Sequence, residues 1–204
     1  MTTSTTPGTR RTLLVGFPAT LAIDGTIVAL MALTAFVPRW YPPLLRDLGD
    51  SWSRLAAGQV WRPFTSAFVQ SRHGFVIGIV ILLWLVPLAE WRAGSRVAAA
   101  AFFLGDWISS LSVMIGLRIA SGFGIDTATH ALGHLDSGAS AGFYACGGAF
   151  VTALPAGRLR TLGAVALAGD LVIEGVVTHM LAEVEHPVAV LVGVVAAIVG
   201  GRHR

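Results

Sequence analysis

An all-helical membrane domain is what this sequence predicts, on three observations. Only 12% of its 204 residues are charged while 54% are hydrophobic, and the mean hydropathy is +0.73. A soluble domain normally carries about 25% charge, so lipid is the solvent this composition suits. The apolar residues gather into six runs with most of the charges between them. Arginines collect at alternate run ends, as expected of a chain oriented across a bilayer. The length suits one domain.

Residues 1–12 are rich in Ser and Thr and end in Arg10-Arg11-Thr12. They are expected to form a disordered cytoplasmic tail ahead of a membrane domain over 13–201. The apolar run after the arginine pair reaches about residue 37, too long for a cleaved signal, and reads as a retained first span carrying Asp24. Residues 38–63 interleave Arg39, Arg46, Asp47, Asp50, Arg54 and Arg62 with Trp40, Tyr41, Trp52 and Trp61. Such a mixture suits the headgroup region, so this first loop is expected to be interfacial. A second span covers about 65–88 and ends at Glu90-Trp91-Arg92; a third covers about 97–117 and contains Asp106. Residues 118–137, rich in Gly, Ser, Thr and His, read as a loop. The fourth span, Ser140 to Leu154, holds roughly 15 residues where about 20 are needed to cross a bilayer, so neighbouring helices must shelter it. The fifth, about 161–181, carries Asp170 and Glu174, and the sixth covers about 187–201.

Six spans put both termini on one side. Arg10, Arg11, Arg92, Arg96, Arg158, Arg160, Arg202 and Arg204 share that side, which the positive-inside rule makes cytoplasmic. All 14 basic residues are arginine, a bias expected of a bacterial plasma-membrane protein from a GC-rich genome. They do not cluster as a nucleic-acid surface would, which argues against a nucleic-acid partner. The single cysteine, Cys146, excludes an intrachain disulfide and reads as a small buried helix residue.

Chemistry is concentrated at Ser137-Gly138-Ala139-Ser140-Ala141-Gly142. Small residues permit close backbone approach, and a serine opening a helix lies beside free N–H groups able to hold an oxyanion. Close helix packing alone would also account for the stretch. A base is available in His186, which is expected to open the sixth span on the same side as Ser140. Ala189 and Gly193 after His186, and Gly142, Ala145, Gly148 and Ala149 after Ser140, would let the two helices approach. His179 is a rival base.

Several segments, in order, resemble the rhomboid family of intramembrane serine proteases over about residues 58–200. Gly58-Gln59-Val60-Trp61-Arg62-Pro63-Phe64 resembles the Trp-Arg segment closing the family's first loop. Glu90 with Gly94-Ser95 is similar to the end of its second helix. Gly138-Ala139-Ser140 with Tyr144 resembles the nucleophile motif and its downstream aromatic, and His186 with Gly193 the histidine helix. The resemblance implies a six-helix rhomboid-like bundle with Ser140 as nucleophile, His186 as base, Tyr144 packed on the histidine and Gly138 supporting the turn. It implies cleavage of a transmembrane segment of another membrane protein, without cofactor or metal.

The sequence departs from the family pattern at Ala141 and Ala189, where Gly is usual, and at Phe75 and Ile79, where the family offers a His and an Asn to the oxyanion. Gln70 and His73 are the nearby alternative donors. These departures motivate a second reading, an inactive rhomboid-like protein that binds membrane helices or scaffolds a complex. Asp106, Asp170 and Glu174 lie at membrane depth with roles unassigned, and Asp170 and Glu174 share a helix face at i, i+4. A proton or cation path through them is the third reading. His130 and His134 have the same spacing, in a loop with no clear helix cap, so no metal site is expected there.

Overall fold

A computed structural model describes residues 16–70, 82–177 and 182–201. The described residues are helical, with no β-strand among them. Helix α1 is Pro18–Phe36, followed by a 3-10 turn at Pro38–Trp40. Three short helices fill the first loop: α2 (Tyr41–Leu48), α3 (Trp52–Ala56) and α4 (Arg62–Ser66). Then come α5 (Leu85–Ala93), α6 (Ser95–Gly122), α7 (Asp126–Leu132), α8 (Ser140–Ala153), α9 (Arg158–Val177) and α10 (Ala182–Gly201).

Among the described residues three helices are long and apolar enough to cross a membrane: α1, α6 and the Val184–Gly201 part of α10, with mean hydropathies of 1.8, 1.6 and 1.9. At 1.5 Å per residue, a 19-residue helix such as α1 spans about 29 Å, the thickness of a hydrocarbon core. Helix α9 is also long at 20 residues, but carries Arg158, Arg160, Asp170 and Glu174. Much of the expected second span, residues 71–81, and all of the expected tail lie outside the described residues.

Several boundaries differ from those expected of the sequence: residues 67–70, placed in the second span, are not helical, and its last helix runs on to Ala93. The third span extends to 28 residues as α6, because Arg118 is the only charge between Asp106 and Asp126 and nothing breaks the helix before Gly122. The loop after it contains α7, which starts with Asp126 in its first turn, where the positive helix end favours an acid. Helix α10 begins at Ala182, so His186 lies within its second turn and does not open it.

Helix α8 is the centre of the fold. Residues Ala141 through Ala149 are all buried, enclosed by α5, α6 and α10. Small residues make this possible. A Cβ on Gly193 of α10 would overlap the Ala145 backbone, one on Gly148 would overlap Val190 of α10, and one on Gly105 of α6 would overlap the Ala145 methyl. At only 14 residues, about 21 Å, α8 is too short to meet water at both ends by itself, and its neighbours supply the shelter. By contrast, Leu159, Leu162, Val165, Val172, Ile173 and Val176 on α9 are each at least 64% exposed, as lipid-facing residues would be.

Tertiary hydrogen bonds anchor the periphery. Helix α1 has no side-chain cap and no acid in its first turn. Glu90, at the end of α5 and 4% exposed, takes that role: it accepts the Ala19 N–H at 2.9 Å, the Thr20 N–H at 2.7 Å and the Thr20 hydroxyl at 2.7 Å. The first loop is pinned from within. Arg62 donates to the Asp47 carbonyl and, at 2.8 Å, to Gln59, while Thr65 donates to the Leu48 carbonyl at 2.7 Å. Trp107 on α6 donates to the Val60 carbonyl at 2.8 Å and stacks on Phe64 with centroids 5.8 Å apart, fastening the loop to a long helix.

Candidate functional site

The segment entering α8 is held by the first loop. Asp50 and Asp136 exchange backbone hydrogen bonds of 2.9 and 2.8 Å. Gly138 donates its N–H to the Ser66 carbonyl at 3.1 Å, and Ala139 donates to Gln70 Oε1 at 3.3 Å. Gly138 has φ of +134°, a conformation that side chains rarely adopt, which explains a glycine before the serine. Ser140 follows as the first residue of α8, half-buried.

Asp50 is fully buried in this junction. Its Oδ1 accepts the Ser51 N–H at 2.7 Å, and its Oδ2 has no partner among the described residues. Burial, with the Asp136 carboxylate adding to it, pushes the Asp50 carboxyl up to about 6 against the bonded Ser51 N–H and nearby arginines. An unfolded aspartate titrates near 3.9, so the folded protein holds the proton more tightly. This contribution to stability is fully present below about pH 4 and is lost as pH rises through 6. Asp50→Asn, which retains an acceptor for Ser51, should therefore stabilise the protein at pH 8 by on the order of 2 kcal/mol and hardly at all at pH 4. Thermal unfolding in micelles at the two pH values reads this; an equal change at both would refute it.

Tyr144 and His186 meet beside Ser140's helix. Tyr144 is one turn beyond Ser140 on α8, and its ring stacks on His186 with centroids 4.2 Å apart and planes 21° apart. His186 is 1% exposed. Its Nδ1 is 2.5 Å from Glu174 Oε2, and its Nε2 is buried with no hydrogen-bond partner among the described residues. The Tyr144 hydroxyl donates to Asp170. The two carboxylates expected on one face of the fifth span are thus both turned to this cluster. Their i, i+4 spacing is visible in the sequence, but their partners lie on two other helices.

Other expected residues fall elsewhere. Among the described residues no hydrogen bond joins Ser140 to His186. Gln70 reaches the entry of α8 and also donates from Nε2 to the Ala67 carbonyl at 2.8 Å. His73, Phe75, Ile79 and His179 lie outside the described residues. Asp106 is 3% exposed, its Oδ2 without a partner among the described residues, and Ser110, one turn on, donates to Glu185 of α10 at 2.5 Å. His130 and His134 are exposed and contact each other, Nδ1 to Nε2, at 3.2 Å. Cys146 is fully buried, its thiol directed at the Ala98 carbonyl at 3.6 Å.

Two features have no signal along the sequence: the Asp50–Asp136 bridge and the Glu174–His186 bond. Each joins residues on separate elements of the chain. Comparison with protein-family models, curated proteins and solved structures returns no match for this chain.

Proposed function

We propose that this chain is a rhomboid-like intramembrane serine protease of six spans, in a bacterial plasma membrane with both termini cytoplasmic, cleaving a single-span membrane protein. The observation that carries the reading is the buried His186 stacked on Tyr144, one turn along α8 from Ser140. A buried imidazole with one free nitrogen, next to a helix opened by serine, supplies groups that acyl transfer needs, which supports the reading. Ser140 Oγ would attack the scissile carbonyl as its proton passes to His186 Nε2. The N–H of Ser140 would receive the oxyanion, with the second amide N–H of Gln70 as a side-chain donor. His186 would then protonate the leaving amine, and water activated by the same nitrogen would hydrolyse the acyl-enzyme.

Reaction with a fluorophosphonate probe in native membranes tests this. Wild type should be labelled at Ser140. Ser140→Ala should abolish labelling and His186→Ala reduce it at least about 10³-fold. The second reading, an inactive rhomboid-like protein that binds membrane helices, draws on the missing Ser140–His186 bond and on Phe75 and Ile79 where oxyanion donors are expected. Losing one such donor costs about 10²–10³ in turnover. No labelling of wild type, under conditions that label an active protease of this kind, would favour that reading.

A further inference from the structure

We infer that Glu174 is the positioning acid of His186, so that the base works as the middle member of a Ser140–His186–Glu174 relay and not of a two-residue dyad. The inference rests on the protease reading above. It starts from the 2.5 Å contact between His186 Nδ1 and Glu174 Oε2. An ionised carboxylate only accepts hydrogen bonds, so it selects the tautomer with the proton on Nδ1 and leaves the lone pair on Nε2. Nε2 is the ring nitrogen left without a partner among the described residues. A buried nitrogen without a bond is destabilising, which a purely structural histidine would avoid by a second bond. A nitrogen awaiting the nucleophile's proton bears that cost as part of its role.

The ring is also fixed in orientation. Tyr144 covers one face of it, and Asp170, one turn before Glu174 on α9, holds the Tyr144 hydroxyl. One face of α9 therefore sets both the tautomer and the plane of the base. The acids around the ring are Glu174 and Asp170 on α9 and Asp136 ahead of α8; of these, Glu174 is the one bonded to it. During acylation the Ser140 Oγ–H bond breaks, the Oγ–carbon bond forms and the carbonyl π pair moves to oxygen. The proton goes to Nε2, and the new imidazolium keeps its Nδ1–H on the Glu174 carboxylate. On collapse the C–N bond breaks and the Nε2 proton leaves with the amine.

The test uses the full chain in lipid bicelles, with two readouts. The first is the rate of fluorophosphonate labelling at Ser140. The second is the ¹⁵N spectrum of the His186 ring, assigned with His186→Gln, which reports which nitrogen carries the proton. Wild type should show the Nδ1–H tautomer. Glu174→Gln can present an amide donor to Nδ1; it should shift the tautomer and slow labelling at least about 10²-fold. Glu174→Asp should keep the tautomer and label within about tenfold of wild type. An Nε2–H tautomer in wild type, or wild-type labelling by Glu174→Gln, overturns the relay while leaving Ser140 and His186 as a dyad. If wild type is not labelled at all, the protease reading fails by itself. The tautomer then decides the positioning role: its loss in Glu174→Gln supports it, and an unchanged ring spectrum removes it. If the Glu174→Gln chain does not fold, the wild-type tautomer and the Glu174→Asp rate decide between relay and dyad.

Discussion

Gly193→Ala should lower the stability of this protein by about 2–3 kcal/mol, near the upper end of the cost of overpacking a well-packed core. The added methyl would overlap the carbonyl and Cα of Ala145, and backbone cannot swing aside as a flexible side chain can. Helix α10 would have to move away from α8. The same movement would carry His186 off Tyr144, since the stacking pair sits between the same two helices. Two readouts should therefore change together: the unfolding midpoint in micelles and, under the protease proposal, the probe reactivity of Ser140. Gly169→Ala is the control, because nothing lies within 4 Å of a Cβ there. A Gly193→Ala protein as stable as the Gly169→Ala protein would mean that α8 and α10 are not in backbone contact.

Glu90→Ala is expected to be the most destabilising side-chain truncation outside the candidate site, at about 3–5 kcal/mol. Glu90 receives three hydrogen bonds from the first turn of α1, and that turn has no local substitute. Hydrogen bonds to a charged group are worth about 1.5–3 kcal/mol each, though three to one carboxylate do not add in full. The negative charge also opposes the positive end of the α1 dipole. Glu90→Gln retains one acceptor oxygen and should cost about half as much. Chemical denaturation in mixed micelles would rank wild type above Gln above Ala. Equal stability of Gln and Ala would show that the carboxylate's charge, and not its two acceptors, holds α1.

The candidate site was partly legible because its chemistry is carried by local spacing. Ser140 at the head of a short span, Tyr144 four residues later and His186 on a helix with small residues are all visible along the chain. Gly138 was legible for the same reason, since a glycine before a helix marks a special backbone angle. What spacing could not supply was the pairing of charges across helices. Asp170 and Glu174 look alike in the sequence, two acids on one face. Only the fold shows that the Tyr144 hydroxyl donates to Asp170 and that His186 Nδ1 meets Glu174. Glu90 reads as a helix end, and its role as the cap of α1 depends on contacts 70 and 71 residues away.

By itself, then, the sequence determined that the chain is helical and apolar enough for a membrane, and where its short central helix begins. Those properties follow from composition and from local periodicity, which act residue by residue. Only the tertiary structure decided which polar groups inside that apolar frame meet. A buried polar atom is satisfied by whatever donor or acceptor the packing of other helices brings to it, and the glycines of α8 and α10 set that packing to within an atom's width.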